Sequence, residues 1–171
     1  MTDKLLASVP AQYQNRFERV LETHGEVISS LVDHILNRLE NISQKTLPTS
    51  SEYVHPKIKP FDIYVRYGAN RYGRFGHSYI CISNVNVAHK EQGKGLFSAL
   101  LFSLMYECEQ RNIILGVENP LEEKFRKYLT NLGFEAFGDT PLNIGTYYKL
   151  LPADKLVSQY PFFNIDPDKF K

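Results

Sequence analysis

The spacing of apolar residues changes once along the chain, and this change limits the possible folds more than any other feature. Across residues 11–44, apolar side chains recur every three or four positions, which is the period of an amphipathic helix. From Phe61 they alternate instead, so that Ile63, Val65 and Tyr67 share one face with it, which is the period of a β-strand. The chain is therefore predicted to join an N-terminal helical part to a domain that contains both strands and helices.

The N-terminal part is predicted to be a helical extension over residues 1–50. Gly25 is expected to break or bend its apolar stripe, giving two helices after Pro10. Residues 43–60 are rich in Ser, Thr and Pro, which predicts a connecting loop. We expect the extension to cap the substrate side of the molecule or to form a homodimer, and residues 51–171 to form the main domain with a docked C-terminal tail.

Strands and helices alternate through the main domain. Strands are predicted at 61–67 and 77–88 as an antiparallel pair, and a helix is predicted from Leu96 to about Arg111. The segment "NIILGVE" then has the composition of a short buried strand. The segments "FEAFG" and "TYYKLL" are the last two strand candidates.

A second helix is predicted between "NIILGVE" and "FEAFG". Asn119 is its expected N-cap and Pro120 its first residue, while Gly133 is its expected left-handed stop. Leu121 is expected on its buried face. The helix therefore carries both a start and a stop signal.

Composition excludes several classes of function. Twenty Lys and Arg against nineteen Asp and Glu leave a formal net charge of +1, so no overall field draws the chain to nucleic acid or to a membrane surface. The longest apolar runs are too short to span a membrane, and the first residues lack the apolar core of a secretory signal. Cys81 and Cys108 are expected to be buried thiols, which fits the cytoplasm, and the scattered histidines predict no metal site.

The stretch "HKEQGKGLF", residues 89–97, is either a tight strand-to-helix turn or a seat for a phosphate. It precedes a helix, where unpaired N–H groups and the helix dipole favour an anion. Gly93 and Gly95 would let a pyrophosphate approach the backbone closely, and Lys94 adds a positive charge. A P-loop does not fit, because its Gly-Lys pair must be followed by Ser or Thr, and here Lys94 is followed by Gly95 and then Leu96.

The longer stretch "VAHKEQGKGLF" resembles motif A of the GNAT superfamily of N-acetyltransferases. The resemblance covers about residues 60–150, including the helix that ends in "NLGF". Phe97 stands where the family usually has Gly or Ala, so its ring either crowds the cofactor or turns into the core. Five residues stand at matching positions: Val87, Gln92, Gly93, Gly95 and Leu96.

The resemblance implies a fold and a cofactor site. The fold is α/β, with a GNAT-like mixed, largely antiparallel sheet flanked by helices. Backbone N–H groups from Gln92 to Phe97 are implied to hold the pyrophosphate of acetyl-CoA, and main chain near Asn86 and Val87 to pair with its pantetheine arm in a gap between two splayed strands. The cofactor-binding candidates are Asn86, Val87, Gln92, Gly93, Lys94, Gly95, Leu96, Phe97 and Asn119.

The resemblance also implies direct transfer, in which an amine attacks the thioester and the leaving thiolate is protonated. The acid tyrosine is implied four residues before Gly133, where this chain has Leu129. Tyr128, one residue earlier and about 100° away around a helix, is a candidate acid or a core aromatic residue. Tyr147 is a second candidate acid. Glu118 is a candidate base acting through a water, or else a solvated or capping residue.

The sequence is therefore compatible with three functions. The first is an N-acetyltransferase that uses acetyl-CoA and an unidentified amine. The second is a GNAT-like module that binds coenzyme A without turnover. The third is a nucleic-acid-binding protein that uses the arginine and tyrosine residues of 66–79; the near-zero net charge makes nucleic acid the least favoured partner.

Overall fold

The computed structural model describes residues 2–45, 49–54, 60–69, 77–137 and 146–149. The predicted docked tail lies outside these ranges, as does half of the 66–79 loop, residues 70–76. A short 3-10 turn, His89–Glu91, precedes the third helix. The elements in chain order are α1 (Thr2–Ser8), α2 (Ala11–Ser43), β1 (Thr49–Val54), β2 (Phe61–Gly68), β3 (Tyr79–Val87), α3 (Leu96–Gln110), β4 (Ile114–Val117), α4 (Glu123–Asn131), β5 (Glu135–Phe137) and β6 (Thr146–Lys149).

The described strands form one six-stranded sheet in the order β1-β2-β3-β4-β6-β5. Every neighbouring pair is antiparallel except β3 and β4, which run parallel and are joined by α3. The predicted fold class, a mixed and largely antiparallel sheet flanked by helices, is confirmed. The predicted antiparallel pair β2–β3 is confirmed too.

The prediction of two helices separated at Gly25 is wrong, because α2 runs unbroken from Ala11 to Ser43. A glycine inside a helix costs only about 1 kcal/mol relative to alanine. Against this cost, α2 buries nine apolar side chains along one stripe, including Ile28 and Leu31 on the C-terminal side of Gly25. Burying even one such side chain contributes about 1.5–3 kcal/mol, so packing outweighs the local preference.

The prediction of a loop across residues 43–60 is also wrong in part. Strand β1 lies within it and pairs antiparallel with β2 along its whole length, from Thr49 opposite Gly68 to Val54 opposite Ile63. Ser and Thr residues gave this segment the composition of a loop. The neighbouring strand supplies the backbone hydrogen bonds that local composition does not reveal.

The predicted start of the second helix is wrong by three residues. Helix α4 begins at Glu123, and Asn119 instead has a left-handed φ of 48°, so it turns the chain out of β4. The Arg126 guanidinium donates hydrogen bonds to the carbonyls of Pro120 and Leu121, at 3.1 and 2.6 Å, which holds this segment in a non-helical path. Leu121, expected to be buried, is 75% exposed.

The predicted stop at Gly133 is confirmed. Its φ is +78°, and its N–H donates to the Thr130 carbonyl while the Phe134 N–H donates to the Leu129 carbonyl. These two bonds form a Schellman motif, which closes the C-terminus of α4.

Helices α2 and α3 pack on one face of the sheet. The apolar residues of β2 point to this face and share one hydrophobic core with residues of β3, β4 and β6, namely Ile80, Ile82, Leu115, Val117 and Tyr147. Cys81 and Cys108 are both free and buried, as predicted, and burial raises the pKa of the Cys108 thiol. Among the described helices, none is both long and apolar enough to cross a membrane.

Replacing Gly116 of β4 by alanine is expected to destabilise the protein by about 1–3 kcal/mol, the usual cost of overpacking a core. A methyl group there would lie 2.9 Å from the Tyr148 ring and 3.0 Å from the Cys81 sulfur. Thermal unfolding measures the effect. Cys81→Ala in the same chain should recover part of the loss, and an unchanged melting temperature for Gly116→Ala would contradict the packing described here.

Candidate functional site

The turn between β3 and α3 has a backbone that requires its glycines. Gly93 has a φ of +75° and Gly95 a φ of +94°, values that side chains with a Cβ rarely adopt. We call the segment Gly93–Gly95 the glycine turn. Gly95 is also the N-cap of α3, and no side chain caps the helix there. The sequence "QGKGLF" therefore forms a tight strand-to-helix turn whose shape exposes backbone at a helix N-terminus.

The amide groups of this turn are unpaired. The first helical bond of α3 runs from the Ala99 N–H to the Gly95 carbonyl, and no described residue accepts a hydrogen bond from the N–H groups of residues 93–98. Gln92 differs, because its N–H donates to the His89 carbonyl at 3.2 Å. The set of free donors predicted to begin at Gln92 therefore begins at Gly93, and it extends to Ser98.

Arg16 of α2 lies directly over the glycine turn. Its Nη2 donates a hydrogen bond to the Gly93 carbonyl, and its Nε lies 2.8 Å from the position that a Cβ on Gly95 would occupy. One hydrogen bond leaves four of the five N–H donors of the guanidinium for another acceptor. The helix N-terminus and this guanidinium together make the turn electropositive.

Lys94 contributes less charge to the turn than its position in the sequence predicts. Its Nζ lies 3.0 Å from Glu91 Oε2, and His24 Nε2 lies 3.6 Å from the same oxygen. The hydrogen bond from Lys94 holds the pKa of the Glu91 carboxyl below its usual range. The cation in contact with the glycines is therefore Arg16, and the Lys94 ammonium is paired.

A cavity of about 340 Å³ opens beside the glycine turn, between α2, α3 and α4; we call it the tyrosine cavity. Phe97 lines this cavity, and its ring packs edge-to-face against the ring of Phe125 in α4, with 5.6 Å between the ring centroids. Of the two orientations expected for Phe97, the structure has the ring turned onto the neighbouring helix. The lining residues are Tyr13, Arg16, Phe17, Gly95, Phe97, Ser98, Ala99, Phe102, Phe125 and Tyr128.

Tyr128 brings a buried hydroxyl to this cavity. Its oxygen is enclosed and has no hydrogen-bond partner among the described residues. Burial raises the pKa of Tyr128, and the nearby Ser98 hydroxyl opposes the rise without reaching hydrogen-bond geometry. Leu129, the position that the family resemblance implied for an acid, is fully buried in the core. The one-residue displacement therefore leaves Tyr128, and not Leu129, facing the turn.

The sheet opens where the parallel pair β3–β4 ends. Their ladder stops at Ile82 opposite Val117, with one further bond from the Glu118 N–H to the Ile82 carbonyl at 2.8 Å. Strand β3 continues to Val87 with no described strand on that side, which leaves the predicted gap; we call it the sheet gap. A β-bulge puts Ser83 at its inner end, where the hydroxyl is enclosed and has no described partner.

The outer end of the gap is tied to the glycine turn. The Gln92 side-chain amide donates to the Val87 carbonyl at 2.9 Å. Asn119 follows β4 on the opposite side of the gap and is exposed. Asn86 pairs with Asp62 in the register of β2 and β3 and borders a different cavity, beside His24.

Glu118 lies at the gap but on the sheet face away from α2 and α3. Its Oε1 accepts a hydrogen bond at 2.9 Å from Arg66 of β2, which reaches across β3. Tyr147 lies on the opposite face, paired with Val117, and is 5% exposed within the hydrophobic core. Tyr147 and Tyr148 therefore point to opposite faces, as predicted. Of the two candidate acids, only Tyr128 lines the cavity at the glycine turn.

The predicted site residues thus fall into three groups. Gly95, Phe97 and Tyr128 meet at the tyrosine cavity. Gly93, Lys94 and Leu96 line a second cavity against α2, described below. Except for Asn86, which borders the cavity beside His24, the others border the sheet gap or the core: Val87, Gln92, Glu118, Asn119 and Tyr147. Within the arginine and tyrosine loop, Arg66 is ion-paired and Tyr67 is buried, while residues 70–76 lie outside the described ranges.

Sequence patterns did not identify three polar residues of the site. Arg16 is 77 positions from its partner Gly93, and its spacing on α2 marks it only as an exposed residue. Ser98 lies on a helix dominated by apolar side chains, and Ser83 is a single serine in a strand. In all three cases the function of the residue depends on which element it faces, and no local signal encodes that.

No family model and no curated protein matches the chain. It is similar to the crystal structure of Ard1 from Thermoplasma volcanium, with 15% sequence identity and a TM-score of 0.34. The similarity covers 61% of this chain and 98% of that one. At this identity and TM-score the similarity assigns neither a family nor an activity.

Proposed function

We propose that the protein is a GNAT-type N-acyltransferase that moves an acetyl group from acetyl-CoA to an amine. The observation that carries the proposal is the run of unpaired amides at residues 93–98, which border a cavity containing the enclosed hydroxyl of Tyr128. Any helix N-terminus leaves its first amides free, but here two glycines of positive φ leave the backbone uncovered and the Arg16 guanidinium lies over it. An anion binding site at the turn accounts for this arrangement, and a general acid accounts for the enclosed phenol.

The residues at the turn fit a diphosphate. Gly93 and Gly95 leave the backbone uncovered, and the free amides at the N-terminus of α3 supply donors and a positive dipole end. Arg16 adds a fixed positive charge with four unused donors, and Arg binds phosphate oxygens in bidentate fashion. The sheet gap then receives the pantetheine arm, with the enclosed Ser83 hydroxyl at its inner end.

Acetyl-CoA supplies the acyl group as a thioester, whose C–S bond breaks as the amine nitrogen forms the new C–N bond. Tyr128 donates its phenolic proton to the sulfur; like any tyrosine it is protonated at neutral pH, and burial raises its pKa further. Glu118, on the other face of the sheet, takes the proton of the amine through water. The buried free thiols Cys81 and Cys108 suit a reducing compartment such as the cytoplasm.

A second candidate function is a module that binds coenzyme A without turnover. The observation that favours it is the ion pair between Arg66 and Glu118, which occupies the candidate base. Both functions require the same anion seat. They differ only in whether thiol is released.

Thermal unfolding with acetyl-CoA tests the shared part of both functions. Ligand at a hundredfold excess over its dissociation constant should stabilise the protein by about 2.7 kcal/mol. Free adenosine, which lacks the diphosphate, serves as the control and should produce no comparable shift. An absent shift with acetyl-CoA would overturn the anion seat. Release of free thiol with a panel of amines then separates the enzyme from the binding module.

A further inference from the structure

A second cavity, of about 380 Å³, lies between α2 and the glycine turn; we call it the arginine cavity. Arg16 lines both it and the tyrosine cavity, so the two meet at the same guanidinium. Its lining residues are Arg16, Arg19, Val20, Thr23, His24, Gly93, Lys94 and Leu96. The arginine cavity therefore adjoins the proposed diphosphate seat through Gly93, Lys94 and Leu96, and Tyr128 is not among its lining residues.

The cations of this cavity are aligned by the geometry of α2. Arg16 and Arg19 are three positions apart, a spacing that puts side chains on one face of a helix. Arg19 has no ion-pair or hydrogen-bond partner for its side chain among the described residues, and Arg16 uses one donor on the Gly93 carbonyl. Lys94 lines the same space but is paired with Glu91. Two guanidinium groups thus face a cavity whose lining contains no carboxylate.

We propose that the arginine cavity binds the ribose 3′-phosphate of coenzyme A, with Arg19 and Arg16 as its ligands. This inference rests on the proposed function, which puts the diphosphate on the amides of residues 93–98. Coenzyme A carries one further phosphate, a monoester, close to that diphosphate. A monoester dianion matches two guanidinium groups in both charge and geometry. The cavity therefore distinguishes coenzyme A from nucleotides that lack the 3′-phosphate.

Isothermal titration of the full chain with coenzyme A and with 3′-dephospho-coenzyme A, at one ionic strength, tests the proposal. The wild-type protein should bind coenzyme A at least about tenfold more tightly, the change expected from a charge-assisted hydrogen bond. Equal affinity for the two ligands would overturn the inference and leave the proposed function intact. If neither ligand binds, the proposed function fails and the inference fails with it.

Variants of the arginines identify the ligands. Arg19→Gln should weaken binding of coenzyme A and leave the affinity for 3′-dephospho-coenzyme A unchanged. The variant should therefore no longer prefer coenzyme A. Arg16→Gln should weaken both, because Arg16 also borders the diphosphate seat. Arg111→Gln is the matched control: it removes one charge at the opposite end of α3, about 22 Å away, and should keep the preference. An Arg19→Gln protein that keeps the full preference would refute the assignment of Arg19.

Discussion

Replacing Gly95 by alanine should weaken acetyl-CoA binding by about 100-fold or more, the affinity change that ~2.7 kcal/mol produces. The φ of +94° at this residue is strained for any side chain, at a cost of about 1–2 kcal/mol. The added Cβ would also lie 2.8 Å from Nε of Arg16. Either the guanidinium leaves the turn or the turn changes shape, and both outcomes disrupt the proposed seat.

Substitutions at two other glycines distinguish the effect of backbone strain from the effect of the clash with Arg16. Gly93→Ala adds strain at a φ of +75° but meets no atom within 4 Å, so it should bind acetyl-CoA better than Gly95→Ala does. Gly25→Ala, in the middle of α2, has only an ordinary contact with Leu21 at 3.9 Å and should raise stability by about 0.5–1 kcal/mol. Titration measures the affinity for acetyl-CoA, and thermal unfolding measures the stability. Tight binding by a folded Gly95→Ala protein would rule out the glycine turn as the seat.

Replacing Tyr128 by phenylalanine should reduce turnover by about 100-fold or more, the lower range for loss of a general acid. Affinity for acetyl-CoA should be unchanged, because the ring and its packing against Tyr13 and Phe125 remain. Stability should not fall, since the hydroxyl has no described partner and its removal leaves no donor or acceptor unpaired. Steady-state rates and titration together measure the effect.

Tyr147→Phe is the control, because its ring is enclosed in the core and should not affect the rate. The pH profile adds a second readout. A general acid works only while protonated, so activity is lost as pH rises through the pKa of Tyr128, which burial places above its ordinary value. The alkaline decline should therefore lie at higher pH than an ordinary tyrosine would give, and it should be absent from Tyr128→Phe. Full turnover in that variant would remove Tyr128 from the mechanism.

Local patterns predicted the parts of the fold that local energetics determine. Alternation at Phe61–Tyr67 identified β2, the apolar stripe after Gly95 identified α3, and Gly133 marked the end of α4. Each of these signals is a period or a turn conformation of the segment itself. The existence of the β3–α3 turn as a candidate anion seat followed in the same way, because its glycines are adjacent in sequence.

The errors arose where distant contacts outweigh local preference. Helix α2 continues through Gly25 because its apolar stripe packs on the sheet. Thr49–Val54 is a strand because it pairs with β2. Pro120 lies outside α4, where its carbonyl accepts a hydrogen bond from Arg126. Arg16 belongs to the site for the same reason. Its neighbours are set by how α2 crosses α3, which no window of the sequence contains.

The single parallel pair in the sheet has a mechanical consequence. On one side β1, β2 and β3 form an antiparallel ribbon, and on the other β4, β6 and β5 form another. Within the described part of the sheet, their backbones are joined by the short ladder from Tyr79–Ile114 to Ile82–Val117 and by the bonds that flank it. Widening the opening beyond Ile82 would therefore break few backbone hydrogen bonds and would leave both antiparallel ladders intact.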